Sequence, residues 1–328
     1  MTVHLATPEA LYSVTGTADD PATTRGLAGT HPECVAVHPE EPDLVLAGTF
    51  EDGLHRSTDG GGGWRPVDDA ALADASVTAV AVNPDDPDEW WAGTEPSAVY
   101  RSTDAGATWE RREGLTDLPS ASGWSFPPRP DTHHVRWVEV DPHDPAHLYV
   151  GIEAGALVQT RDRGATWTDR VPSSRRDNHT LATHPDAPGR AYSAAGDGYA
   201  ETTDGGETWA HPQSGLDHRY CWGLAVDPGD PDAVFVSAAA GASRAHRRSS
   251  ADAYLYRRRG DADWERLDDA GIPTGEGVTR AVLAGGRAPG ELFAAHDRGL
   301  YRTTDAGDSF ERFDLDAPGR TVRALAVV

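Results

Sequence analysis

The sequence predicts an all-β chain: a single seven-bladed β-propeller whose four-stranded blades close into one ring. Three observations carry this. A short box, Ser/Thr-x-Asp-x-Gly-x-Ser/Thr-Trp, recurs along almost the whole chain. An alternating apolar strand running into a Pro-bounded turn precedes the boxes at similar spacing. The composition, with 35 Gly, 24 Pro and 8% aromatics, is rich in turn formers. Self-similarity at a period of about 40–50 residues is the mark of propellers and solenoids, and four short strands per repeat with turn chemistry between them select the propeller.

The box reads STDGGGGW at Ser57–Trp64, STDAGATW at Ser102–Trp109, TRDRGATW at Thr160–Trp167, TTDGGETW at Thr202–Trp209 and TTDAGDSF at Thr303–Phe310. A sixth copy, Arg257–Trp264, keeps only its tryptophan. The strand-and-turn signal reads CVAVHPEEPD (34–43), TAVAVNPDDPD (78–88), WVEVDPHDPA (137–146), TLATHPDAPG (180–189) and GLAVDPGDPD (223–232). A second apolar strand follows each, then a strand ending in the box, then a short outer strand. Six units so defined run 33–69, 76–115, 133–171, 177–216, 219–267 and 277–315. The seventh is split. Residues 321–328 (TVRALAVV) read as an inner strand with nothing after it, and residues 2–30 supply outer strands with no inner strand before them. Joining them removes an exposed sheet edge and makes 1–328 one domain.

The 328 residues carry a net charge of −24 and contain no lysine. Such a field repels phosphate backbones and anionic bilayers, so neither nucleic acid nor membrane is an expected partner. No apolar run is long enough to span a bilayer. The start of the chain lacks a basic segment followed by an apolar core, so a cytoplasmic location is expected. An acidic, lysine-free surface suits a salt-rich cytoplasm, where counterions screen carboxylate repulsion, and points to a salt-loving, haloarchaeal source; the alternative is an acidic protein from a high-GC genome in which codon bias replaces lysine by arginine. Cys34 and Cys221 are too few for a disulfide framework and read as small buried residues.

With its boxes and inner strands the chain resembles the BNR or Asp-box repeat proteins, the repeat class of the sialidase superfamily. The resemblance implies that each box sits on the turn between third and fourth strands, with its Asp binding local backbone and its aromatic packing between blades. Side-chain chemistry agrees: Asp and Ser/Thr bond nearby backbone, Gly permits positive φ, and Trp supplies buried area. Asp59, Asp104, Asp162, Asp204 and Asp305 are therefore read as structural. The family places them on the face opposite its active sites.

Function should lie where the repeats differ. Aligned on the turn proline, five inner strands place Glu33, Thr78, Arg136, His179 and Trp222 at one level, the top rim of the channel, and the two strands without that proline align by pattern to Arg280 and Arg323. Two residues further on, every blade carries Val or Leu. The deeper layer is uniform and apolar, as packing requires; the rim is polar and different in each blade. Second-strand ends add Glu95, Glu153 and His296, with Glu51, Asp197 and Asp297 beside them. Two insertions belong to the same face: 116–132, carrying Trp124, Phe126 and Arg129, and about 239–253, carrying Arg244, His246, Arg247 and Arg248.

Arg136, Arg280 and Arg323 at the mouth are the expected anion grip, because guanidinium forks bind carboxylates bidentately. Sialidases hold a substrate carboxylate with an arginine triad, so the resemblance points the same way. A second reading pairs these arginines with Glu33, Glu95 and Glu153 across the pore. Glu153, His179, Glu33 and Asp177 are the candidate catalytic groups, for acid–base work or for a carboxyl pair. Trp222 and Trp124 are expected to stack on a sugar or another flat group. Glu95, His296 and Arg129 complete the binding set. The expected function is a glycosidase-like hydrolase or lyase on a small anionic, carboxylated substrate or glycan, with no cofactor. Sialidases use a Tyr–Glu nucleophile pair, and only Tyr220 falls near the rim, which argues against sialidase chemistry itself. Two alternatives stand beside this. One is a non-enzymatic platform binding a protein partner on the top face. The other is a metal-dependent enzyme built on His133, His134, His179, His296 and nearby glutamates.

Overall fold

The computed structural model describes residues 1–73, 75–315 and 321–328. It is a seven-bladed β-propeller of antiparallel sheets. The first blade comprises Pro32–Val37, Val45–Thr49, Leu54–Ser57 and Arg65–Pro66. The second comprises Ser76–Val82, Trp90–Glu95, Val99–Ser102 and Glu110–Arg112. The inner strands of the next four blades begin at Val135, Asn178, Tyr220 and Val282. In the third and fourth blades the outer strand shrinks to a single bridge, Gln159 to Thr168 and Glu201 to Ala210. The ring closes between the chain ends: Ala324–Val327 pairs antiparallel with Thr2–Thr7, setting Val3 opposite Val327 and Leu5 opposite Leu325. The Arg323 N–H donates to the Ala6 carbonyl at 2.8 Å, extending that ladder inward. Each inner strand packs on the inner strands of both neighbouring blades all the way round.

The two repeat signals have local causes. The residue before the turn proline is in each case a hydrogen-bond acceptor. Asn83 accepts from the Asp85 N–H at 2.9 Å, Asp141 from His143 at 2.9 Å and Asp227 from Gly229 at 2.9 Å. His38 and His184 do the same through Nδ1. Asx-type bonding of this kind fixes a turn where proline has removed a donor. In the box, the Thr202 hydroxyl donates to Asp204 at 2.7 Å and accepts the Gly206 N–H at 3.0 Å, while Asp204 accepts the N–H and hydroxyl of Thr208. Gly206 turns with φ +82°, and a Cβ there would meet Gln159 at 2.6 Å.

The box aromatics bind blade to blade. Trp109 of the second blade packs with Leu46 and Leu54 of the first, Trp209 with Tyr149 and Leu157 of the third, Trp264 with Tyr192 and Tyr199 of the fourth, and Phe310 with Phe235 and Leu255 of the fifth. Each repeat thus covers the face of the one before it, which is why a lone repeat could not fold. Where the sixth box has eroded, Arg257 replaces the hydroxyl residue and bonds Glu265 at 2.7 Å and Asp308 at 2.6 Å. Both cysteines are buried and free.

Candidate functional site

The inner strands bring their variable rim residues to one end of the channel, and the two insertions wall that mouth. Two adjoining cavities occupy it. The smaller, about 280 Å³, is lined by Glu33, Thr78, Arg129, His134, Arg136, Glu153, Trp222 and Arg323. The larger, about 690 Å³, is lined by Glu153, Asp177, Tyr220, Trp222, His246, Arg280 and Arg323, with Phe126, Pro127 and Pro128 of the first insertion. Glu153, Trp222 and Arg323 face both.

Trp222 is the hub. The guanidinium of Arg280 lies 4.4 Å from its ring centre and that of Arg136 4.9 Å. The His179 ring lies at 4.3 Å, tilted, and the His246 ring meets it edge-on at 4.4 Å. His246 belongs to the second insertion, in a short helix Ala242–His246, and is hydrogen-bonded to the Tyr220 hydroxyl at 3.1 Å. Burial, with Arg280 adding repulsion, pushes His246 down to about 2, so it packs as a neutral ring.

The arginines fare differently. Arg323 meets Glu33 at 3.3 Å, and Arg136 lies 3.8 Å from Glu153. Arg129 grips Glu95 through two hydrogen bonds of 2.8 and 2.6 Å and stacks on Phe50 and Phe126. Two of the three rim arginines are therefore paired with rim glutamates, Arg323 with Glu33 of the adjacent blade and Arg136 with Glu153 of its own. Arg280 is the exception. It is 1% exposed, its one hydrogen bond runs to the Val322 carbonyl, its Nε has no partner, and no carboxylate lies within ion-pair distance among the described residues. Burial, reinforced by Arg136 and Arg323, drives its pKa well below the ordinary arginine value.

The carboxylates form a second cluster. Glu153 accepts from His134 Nε2 at 3.1 Å and lies 4.0 Å from His179 Nε2. Burial pushes its carboxyl up, but His134, His179 and Arg136 together outweigh this and hold it at about 2. Asp177 lies 3.7 Å from His179 Nε2, accepts the Ala154 N–H at 2.8 Å, and is raised above the ordinary range by burial, which His179 opposes. Two neighbouring carboxyls pushed in opposite directions are what acid–base chemistry needs.

Of the residues picked from the sequence, Glu33, Arg129, Arg136, Glu153, Asp177, Trp222, Arg280 and Arg323 all line the mouth, and His179 and Glu95 sit directly behind them. His296 and Trp124 line neither cavity. His296 is buried, turned against Tyr301 at 5.0 Å, and accepts the Arg298 N–H at 3.0 Å. Trp124 is sunk under the first insertion beside Ile152 and Val135, leaving Phe126 to face the mouth. Sequence reasoning missed Pro8 and Phe50, which line the mouth. Phe50 follows the Gly-Thr of its second strand, the position that holds Glu95 in the next blade, so the same alignment held the signal.

No family model and no curated protein sequence matches the chain. Solved structures match it in fold. An ancestral GH74 enzyme superposes with a TM-score of 0.64 at 15% identity, over 90% of this chain and 38% of that one. The GH74 xyloglucanase from Xanthomonas campestris gives 0.65 at 17% identity, over 99% and 53%. YCF48 bound to a D1 peptide gives 0.59 at 18% identity, over 88% and 83%. The chain thus spans roughly half or less of these GH74 structures and most of YCF48. At these identities the likeness is one of fold, and fold does not fix function. Among the described residues no helix is long and apolar enough to cross a membrane.

Proposed function

We propose that the mouth binds a small carboxylate-bearing ligand, a glycan acid among the candidates, and that the chain is a hydrolase or lyase acting on it. The observation that carries the reading is Arg280. A buried cation without a counter-ion costs several kcal/mol, and a carboxylate arriving through the larger cavity would remove that cost. Arg136 and Arg323 flank it, each held by a carboxylate that an incoming anion could share. Trp222 offers an aromatic wall for a flat group. The reacting end of the ligand would then face Glu153, Asp177 and His179, with Glu33 across the smaller cavity.

A second reading has one observation in its favour. This chain matches YCF48, whose structure holds a peptide, over most of that protein's length. On this reading the larger cavity and the arginine-bearing second insertion take an acidic segment of a partner protein and catalyse nothing.

Thermal melting against glucuronate, galacturonate, N-acetylneuraminate and an acidic peptide separates the two. A ligand present at 100 times its Kd stabilises by about 2.7 kcal/mol. A sugar acid that raises the melting temperature of the wild type but not of Arg280→Met supports the ligand site. A response to the peptide alone favours the partner-binding reading, and no response at all would sink both.

A further inference from the structure

We infer that Glu153, Asp177 and His179 form a binding site for a divalent transition-metal cation of the zinc type. The inference goes beyond the anion site, because it rests on other atoms and stands whether or not Arg280 takes a ligand.

A backbone contact fixes the His179 tautomer. Its Nδ1 lies 2.7 Å from the Cys221 carbonyl oxygen. A carbonyl only accepts, so Nδ1 carries the hydrogen and donates. Once the second proton has left, as it must for a metal to bind, Nε2 is a bare lone pair. That atom is buried, within a side chain that is 0% exposed, and it has no hydrogen-bond partner. The groups it faces are Asp177 Oδ1 at 3.7 Å and Glu153 Oε1 at 4.0 Å. Both are Lewis bases, so three electron-rich atoms converge on one point, all within 4.8 Å of one another. Such convergence is unfavourable unless a proton or a metal cation sits among them, and a metal cation can bond all three.

The surroundings orient these three atoms inward. Glu153 uses Oε2 for His134, which leaves Oε1 for the cluster. Asp177 is anchored by the Ala154 N–H. A backbone carbonyl holding Nδ1–H while Nε2 points at the centre is the usual support for a metal-ligating histidine. Zinc takes histidine nitrogen and carboxylate oxygen at about 2.0–2.2 Å, so small rotations of the two carboxylates close the set. Two carboxylates and a neutral imidazole leave a divalent cation with no net charge, which suits a site beside Arg136 and Arg280. Glu153 and Asp177 also line the larger cavity, where a remaining coordination position would face an incoming ligand.

The test uses the full chain, treated with EDTA, freed of chelator by gel filtration, and titrated with Zn²⁺ by calorimetry and with Co²⁺ by visible absorption. No sugar acid is present, so failure here is separable from failure of the anion site. One cation per chain is expected, with Co²⁺ bands of low-symmetry nitrogen–oxygen coordination. Asp177→Asn, at a part-exposed position, is expected to weaken Zn²⁺ by at least about tenfold, and His179→Gln to abolish the Co²⁺ bands. Glu110→Gln, on the exposed outer strand Glu110–Arg112 and outside the mouth, is expected to bind as the wild type does. Circular dichroism verifies that each variant is folded. Should His179→Gln fail to fold, Asp177→Asn and the wild-type stoichiometry decide. Absence of stoichiometric binding, or binding indifferent to Asp177→Asn, would overturn the assignment and leave a proton as the shared cation.

Discussion

The guanidinium of Arg280 lies 4.4 Å from the ring centre of Trp222, buried, with no carboxylate in ion-pair range among the described residues. Stacking of this kind contributes about 2 kcal/mol when desolvated, less than the cost of stripping water from the charge. An anion bound there, as proposed, would offset that cost. In an anion-poor buffer, Arg280→Met, which keeps most of the volume and discards the charge, should unfold at no lower urea concentration than the wild type and should gain about 1–3 kcal/mol. A loss of that size instead would mean that Arg280 is satisfied as it stands.

The box aspartates predict the acid limb of stability. The hydroxyl and N–H of Thr208 hold Asp204 at about 2, below its ordinary 3.8. A depressed folded pKa contributes stability above the unfolded value and loses it as pH falls through the folded one. Stability should therefore fall between about pH 4 and about pH 2, and Asp305, held at about 2 in its own box, acts in the same sense. Asp204→Ala should lower stability at neutral pH by about 1–3 kcal/mol and flatten that limb, as read by urea melts across the pH range.

Ring closure predicts a cross-link. Val3 and Val327 stand opposite each other in the closing ladder. Cysteines at both positions should join on oxidation, and closing so long a loop should stabilise by about 2–4 kcal/mol. Gel mobility and melting with and without reductant measure it. Failure to join would mean that the ends do not pair as described.

Salt should stabilise the chain. A net charge of −24 opposes compaction, and raising the ionic strength from about 0.1 M to about 1 M shortens the screening length from about 10 Å to about 3 Å. The melting temperature should climb steadily over that range in KCl. A flat profile would contradict the salt-adaptation reading of the composition.

Periodic features were legible in the sequence and aperiodic ones were not. Asn83, Asp141 and Asp227 announce their turns because the turn itself needs a short acceptor before proline. Trp109, Trp209 and Trp264 recur because every blade must cover its neighbour. Arg136, Arg280 and Arg323 could be placed at one level because that level is a register position of a repeated strand. Trp124 lies in an insertion with no repeat to align it, and nothing in its sequence says that it packs down while Phe126 faces the mouth. His296 occupies a repeated position, but its ring folds back along its own blade onto Tyr301, a choice of rotamer that alignment does not encode. The convergence of Glu153, Asp177 and His179 joins two blades, and the Cys221 carbonyl that sets the His179 tautomer comes from a third. That relationship exists only in three dimensions.

Anomalous diffraction from a bromide-soaked crystal decides whether Arg280 receives an anion. A strong bromide peak is expected in the mouth within hydrogen-bond reach of the Arg280 guanidinium, and it should be lost in Arg280→Met. Bromide at exposed surface arginines with none at Arg280 would contradict the anion site.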